Sequence, residues 1–208
     1  MNKQVIGITG LIGSGKGTIG SLLVEEHGFV ELSFASAVKD VLAAVFGWDR
    51  DLLEGKTKES RKWREEVDEW WSERLGYKFT RRAAMQQIGT ELFRNNFNDN
   101  IWIYALENKI HQYDKVVITD VRFKNEYELV RQIGVVWNVV RGNQHLEPWY
   151  LLAEQYNKNL TTKNPSKEYG IHQSEWDIIG LPVDHSFDNN GTIDELKEQV
   201  RYQLKCLQ

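Results

Sequence analysis

The sequence predicts an α/β fold with a mostly parallel, doubly wound sheet, and three observations predict it. Short β-branched runs alternate with stretches of helical periodicity. The first run leads straight into Gly7-Ile8-Thr9-Gly10-Leu11-Ile12-Gly13-Ser14-Gly15-Lys16-Gly17-Thr18, which turns into a helix pattern. A later run, residues 116–119, ends in the polar cluster Asp120-Val121-Arg122. Ligands of such sheets lie beyond the carboxyl ends of the strands, so residues 10–18 and 120–122 are expected on one edge.

In chain order, residues 4–9 contain V-I-G-I-T, a run suited to a strand buried on both faces, and residues 17–27 follow as a helix. Residues 29–34 read as a second strand, and residues 35–46 place Ala35, Val38, Leu42 and Val45 near one helical face. Residues 116–119 and 135–140 are further strands, joined by a helix over 123–133. Two segments depart from the alternation. Residues 48–81 are charged, and Trp63, Val67, Trp70, Trp71 and Leu75 recur at the spacing of one helix face. Such a face packs on the body or on a second subunit, or touches a nucleobase. Residues 142–182 are polar, contain Pro148 and Pro165, and have no strand pattern, as expected of a mobile lid or a surface excursion.

Composition limits the function. The chain has 208 residues, 41% hydrophobic and 27% charged, which suits one domain with insertions. No apolar run reaches the roughly 18 residues of a membrane span. Met1-Asn2-Lys3-Gln4 enters the first strand without a secretory leader, so a cytoplasmic location is expected. A single cysteine, Cys206, excludes an internal disulfide and a Cys-based zinc site, and the five histidines show no metal-ligand spacing. A net charge of −4 argues against a long nucleic acid as partner and leaves small anions open.

Gly10-Leu11-Ile12-Gly13-Ser14-Gly15-Lys16 matches the G-x-x-x-x-G-K part of the phosphate-binding loop, with a strand before it and a helix after it. Glycines let backbone N–H groups converge on phosphate oxygens at a helix N-terminus, and Lys16 is expected to reach the β- and γ-phosphates. Gly17 stands where the general pattern has a magnesium-binding Ser or Thr, with Thr18 one place later. This G-K-G-T spelling resembles nucleoside monophosphate kinases of the adenylate kinase type, and the expected donor is ATP with magnesium. Gly13, Ser14, Gly15, Lys16, Gly17 and Thr18 form the expected cofactor-binding set. The guanine-reading Asn-Lys-x-Asp pattern of GTPases is missing.

Three more clusters carry polar chemistry. They are Arg82-x-x-x-Gln86-x-x-Gly89-Thr90, then Asp120-x-Arg122 with Glu126, and Asn190-Gly191-Thr192 before Glu195-Leu196. Together with the loop, Lys39-Asp40, a V-V-R strand end at Arg141 and Gly180-Leu181-Pro182-Val183, the chain resembles the bacteriophage deoxynucleoside monophosphate kinases along nearly its whole length. The resemblance implies a three-layer P-loop kinase fold, with a helical acceptor-binding insertion over about 48–110 and a lid over about 142–182. It also implies transfer of the γ-phosphoryl group of ATP to a deoxynucleoside 5′-monophosphate, and a homodimer in the host cytoplasm.

Residue by residue, it assigns Arg82 to the monophosphate or its base, Gln86, Gly89 and Thr90 to the nucleotide pocket, and Trp102 to a stack on the base. Lys39 falls near the acceptor phosphate, and Asp120 and Arg122 form the D-x-R pair, with Glu126 beside them. Asn190, Gly191 and Thr192 border adenine. Lys16, Arg122, Asp120 and Arg82 are then the catalytic candidates. Local readings stand beside these: Arg122 as an ion-pair partner of Glu126, Gln86 and Thr90 as turn supports, Trp102 as core, Thr192 as a helix cap. The lid stretch up to Glu175 holds no arginine, so Arg141 or His172 is left to do the work of a lid cation. A dephospho-coenzyme A kinase shares the loop and the Asn-x-Gly-Thr ending, and an ATP-binding regulatory module is the alternative outside enzymes. The preferred base is not legible in these residues.

Overall fold

The computed structural model describes residues 3–207, the side chain of Gln144 excepted; Met1 and Asn2, part of the stretch read for a leader, lie outside it. The elements in chain order begin with β1 (Gln4–Thr9), α1 (Lys16–His27) and β2 (Val30–Leu32). A run of helices follows: α2 (Ala35–Phe46), α3 (Arg50–Glu54), α4 (Lys58–Glu65), α5 (Glu69–Leu75), α6 (Arg81–Gln86), a π-helical stretch (Gln87–Arg94) and α7 (Ile101–Ile110). The chain then returns to strands with β3 (Lys115–Ile118), α8 (Lys124–Ile133), β4 (Val135–Val140), α9 (Pro148–Asn157), α10 (Pro165–Tyr169), β5 (His185–Asp188) and α11 (Ile193–Cys206). Contacts divide these into a helical unit, Phe34–Lys109, and a sheet unit made of the residues on either side.

In the sheet unit the described strands run in the order β2-β3-β1-β4-β5 with every ladder parallel. The predicted doubly wound sheet is therefore what forms. Ile6 pairs with Val117 and Val135, so period-2 alternation sends Ile6, Ile8, Val117, Trp137 and Val139 to one face. There they pack on Ile19 and Leu23 of α1 and on Leu196 and Val200 of α11. The other face is covered by α8, and the approach is close: a Cβ on Gly7 would sit 2.7 Å from Val130 Cγ1. Gly7 is thus the residue that lets α8 lie on β1. Arg131 of α8 also forks onto Asp184, whose Oδ2 accepts the Val136 N–H at 2.7 Å and fixes the start of β4.

Residues 142–182 contain helices and, among the described residues, no strand. They form α9 and α10 around Ala153, Trp176 and Ile179, each under 9% exposed, with Leu11 packed against them. Asn157 closes the segment by donating from Nδ2 to Trp176 O and Ile179 O, both at 2.9 Å. Pro148 and Pro165 sit in the first turns of the two helices, where their missing N–H costs nothing.

The helical unit corrects one expectation. Residues 63–75 are not one helix with a shared face, because α4 ends at Glu65 and Asp68 starts α5 by accepting the Trp71 N–H on Oδ1 at 3.1 Å. Val67 between them bridges to Thr80. Trp63 and Trp71 still reach the core, whose buried members include Val38, Leu42, Trp48, Leu53 and Phe79. Trp70 does not; it is 52% exposed, with the Arg74 guanidinium 3.5 Å from its ring centre. Asp68 Oδ2 also accepts from Trp48 Nε1 and Arg81 Nη2, both at 2.9 Å, so one carboxylate ties α5, α6 and the loop between α2 and α3. This unit begins at Phe34, and α2 puts Val38 and Leu42 into its core.

Candidate active site

The glycine loop leaves the carboxyl end of β1, the central strand, and ends in α1. Gly10, Gly13 and Gly15 have φ of 141°, 77° and 109°, a region closed to most side chains. A Cβ on Gly10 would meet Val139 O at 2.4 Å, whereas one on Gly13 or Gly17 would meet nothing within 4 Å. The loop is thus pinned at Gly10 and open where a phosphate would sit. No side chain caps the N-terminus of α1, so its orphan N–H groups and dipole are left to an anion. Lys16 Nζ rests on the loop, donating to Gly10 O at 2.7 Å and Leu11 O at 2.8 Å.

Asp120 and Arg122 follow β3, the strand next to β1, so the sheet order brings them to the same edge as the loop. Burial lowers the Lys16 pKa from 10.5 to about 8; Arg122 adds to the drop, and Glu175 and Asp120 oppose it. Ser33 Oγ donates to Asp120 Oδ2 at 2.6 Å, and Arg122 Nη1 pairs with Glu175 Oε1 at 3.0 Å. Glu126, only 3% exposed, accepts the backbone N–H groups of Arg122 and Phe123 on Oε2 at 2.8 and 3.1 Å. It therefore shapes the Arg122 loop from within instead of facing open space. Gly10, Ser14, Arg122, Arg141 and Glu175 border a cavity of about 180 Å³, walled also by apolar side chains such as Leu11 and Val140. The Ser14 hydroxyl, buried at its edge, has no hydrogen-bond partner among the described residues. His172 caps the short turn at Gln173–Glu175 through Nδ1 and the Ser174 N–H, a local role.

At the far side of the loop, Asn189 donates from Nδ2 to Ser14 O at 2.7 Å. Sequence reasoning chose its neighbour Asn190, which instead accepts the Gly142 N–H on Oδ1 at 2.6 Å and donates to Asp188 Oδ1 at 2.7 Å. Thr192 caps α11 in a reciprocal pair with Glu195, as its local reading allowed, and Gly191 leaves room for that Glu195 carboxylate, which a Cβ would meet at 2.1 Å. Asn189 and Glu175 are the residues that sequence reasoning missed. The first hid in a doubled asparagine, and the second needed the fold to bring it to Arg122.

The remaining candidates belong to the helical unit. Arg82, Gln86 and Thr90 are half-buried along α6 and the π-helical stretch, and Arg82 pairs with Glu65 at 3.4 Å. Lys39 is 6% exposed and bonds Glu54 Oε2 at 2.6 Å, next to Arg50, which bonds Asp40 and Glu54. Trp102 is not available as a base stack. It is 5% exposed, lies 5.0 Å from Phe93 ring to ring, and donates from Nε1 to Gly89 O at 2.7 Å. Gly89 is equally buried, with Val38 3.3 Å from where its Cβ would be. Both residues brace the π-helical stretch from inside.

Known proteins resemble this chain in sequence. The family model for deoxynucleotide monophosphate kinase matches residues 53–148. A protein of Acanthamoeba polyphaga mimivirus, provisionally named a deoxynucleotide monophosphate kinase, is 32% identical over 145 residues, covering 62% of this chain and 69% of that protein. The deoxynucleotide monophosphate kinase of Enterobacteria phage T4 is 29% identical over 135 residues, 61% of this chain and 46% of that one. The deoxynucleoside-5′-monophosphate kinase of Escherichia phage T5 is 47% identical over 53 residues, 24% of this chain and 21% of that one. The chain thus matches under half the length of the two phage enzymes and about two thirds of the mimivirus protein. Its glycine loop, its D-x-R edge and these matches agree: the chain belongs to the deoxynucleotide monophosphate kinase family.

Proposed function

We propose that this chain transfers the γ-phosphoryl group of ATP to a deoxynucleoside 5′-monophosphate. The observation that carries the reading is the convergence of Lys16, the uncapped N-terminus of α1 and Arg122 on one apolar-walled edge of the sheet. In the reaction an oxygen of the acceptor phosphate attacks the γ-phosphorus, the bond to the β,γ-bridging oxygen breaks, and ADP leaves. That nucleophile is already ionised, so no strong base is needed, and positioning and charge stabilisation supply most of the rate.

Lys16 leaves its loop carbonyls for the β- and γ-phosphates, while N–H groups of residues 13–17 hold the same oxygens. Arg122 stabilises the charge on the transferred group. Asp120, whose Oδ2 accepts from Ser33 Oγ, would orient a water on magnesium held through phosphate and water, and that ion would neutralise phosphate charge. Acceptor recognition falls to Arg82, Gln86 and Thr90, with Lys39 contributing charge. Gly89 and Trp102 act by holding the π-helical stretch, and Glu126 by holding Arg122. The adenine border at residues 190–192, the homodimer and the cytoplasmic location implied by the resemblance belong to the same proposal.

The test is ADP release by the purified chain with ATP and magnesium, across the common deoxy- and ribonucleoside monophosphates and dephospho-coenzyme A. Turnover on one or more deoxynucleotides, lost in Lys16→Ala and Arg122→Ala, is the expected result. Turnover on dephospho-coenzyme A alone would move the chain to that acceptor. ADP release indifferent to any acceptor would refute the kinase reading.

A further inference from the structure

We propose that Glu175 is a positioning residue that competes with substrate phosphate for the guanidinium of Arg122, so that phosphate is bound by exchange with this carboxylate. The inference rests on the phosphoryl-transfer reading above and adds a residue to it. Arg122 and Glu175 are 53 residues apart, meet at 3.0 Å, and both border the cavity that Gly10 and Ser14 of the glycine loop also line. A carboxylate offers a guanidinium the same pair of acceptor oxygens that a phosphate does. Glu175 Oε1 occupies Nη1, so a phosphate that takes this donor must displace the carboxylate from it.

The backbones on both sides of the pair are fixed, which makes this a side-chain exchange. Arg122 is held by Glu126, which accepts its N–H at 2.8 Å. Glu175 sits in a short turn, Gln173–Glu175, that is tied down at two points. Asp177, 7% exposed, accepts the Lys124 N–H on Oδ2 at 2.9 Å and a Gln173 Nε2–H on Oδ1 at 3.1 Å. Trp176, 3% exposed, donates from Nε1 to Ser166 Oγ at 2.8 Å. Lys124 opens α8 two residues past Arg122, so the turn and the D-x-R loop share one anchor. The paired side chains themselves are more exposed, at 37% for Arg122 and 22% for Glu175.

Charge placement argues the same way. Lys16 and Arg122 carry positive charges and Asp120 and Glu175 negative ones in one neighbourhood, and Arg141 lines the same cavity. A phosphate added without exchange would stand beside the Glu175 carboxylate, whereas exchange puts the phosphate on Arg122 and turns Glu175 toward water. The carboxylate then sets a threshold that a weakly held anion does not cross, and Arg122 is kept for a ligand also gripped by the glycine loop.

The experiment uses the full chain and inorganic pyrophosphate as probe, by titration calorimetry at constant ionic strength. Pyrophosphate has no base, so neither base preference nor turnover enters. The unaltered chain, Glu175→Gln, Arg122→Gln and the double variant form a cycle. Glu175→Gln is expected to bind pyrophosphate about three- to fivefold more tightly, the scale of losing one part-exposed ion pair as competitor. In the Arg122→Gln background the same change is expected to alter affinity by less than about twofold. Equal tightening in both backgrounds would mean a general field effect and overturn the proposal, as would unchanged or weaker binding in Glu175→Gln. A second readout needs no substitution: the side-chain carboxyl ¹³C resonance of Glu175 is expected to move with pyrophosphate and to stay still with sodium chloride at equal ionic strength. A resonance that ignores pyrophosphate overturns the exchange. Absence of pyrophosphate binding would overturn it together with the phosphate site, while failure of the kinase reading shows separately in the ADP assay.

Discussion

Asn189 should be worth more to the phosphate loop than its place in a surface turn suggests. Its Nδ2 donates to Ser14 O at 2.7 Å, and its own N–H bonds Val140 O at 2.8 Å, so it joins the loop after β1 to the end of β4. Asn189→Ala leaves the carbonyl of a residue 3% exposed without that donor. Losing a partner from a buried carbonyl costs about 1–3 kcal/mol. For a chain of this size that is a fall of roughly 2–12 °C in Tm. The same atom limits Gly15: a Cβ there would lie 2.2 Å from Asn189 Nδ2, on a backbone with φ of 109°. Gly15→Ala therefore carries a strain part, about 1–2 kcal/mol, and a collision part. Only the collision disappears when Asn189 is already alanine, so the double variant is expected to cost about 1 kcal/mol less than the sum of the singles. Urea unfolding of the four proteins measures this, and ADP affinity should fall in the same order. Additivity within about 0.3 kcal/mol would refute the argument, because the two residues would then not share a contact.

Three further outcomes are expected. In the free enzyme, kcat/KM for ATP should fall above about pH 8 as Lys16 loses its proton, with the limb absent in Lys16→Arg if that variant turns over. The sign for stability is opposite: a lysine whose folded pKa lies below its unfolded value binds fewer protons when folded between about pH 8 and 10.5, so this group's share of stability rises with pH across that window and is at its lowest below it. Trp102→Phe keeps a ring but drops the donor to Gly89 O; it should lose about 1–3 kcal/mol in urea and raise KM for the acceptor more than for ATP. Glu54→Gln removes the charged partner of the buried Lys39 ammonium and should cost about 1–3 kcal/mol, discounted from a fully buried pair because Glu54 is 26% exposed. Burial pushes the Glu54 carboxyl up, but hydrogen bonds from Lys39 and Arg50 hold it below its ordinary value, so its contribution is present above pH 4.5 and fades as pH falls through the lowered pKa. Circular dichroism melts at a series of acidic pH values, compared between the unaltered chain and the Glu54→Gln variant, read this directly.

Much of the fold was legible because its signals are local. The β-branched runs, the G-x-x-x-x-G-K spelling and the 3.6-residue spacing of α2 depend on neighbours within a turn or two. The same holds for Thr192 as a cap, whose partner Glu195 is three residues away. Where a pattern competed with a breaker, sequence reading misjudged it. The spacing of Trp63, Trp70 and Trp71 looked like one helix face, yet Asp68 lies within it and prefers to cap, since its carboxylate then satisfies an N–H as well as Trp48 and Arg81.

By itself, then, the sequence determined the alternating α/β order, the phosphate loop with Lys16, and the D-x-R cluster at a strand end. Only tertiary structure decided which side chains these residues meet. It turned Trp102 and Gly89 inward, put Glu126 under the Arg122 loop, set Asn189 on the glycine loop, and placed Glu175 on Arg122. The reason is physical: secondary structure follows contacts three or four residues away, whereas a charge or a buried carbonyl is satisfied by whatever partner the packed fold brings near, here up to 175 residues along the chain.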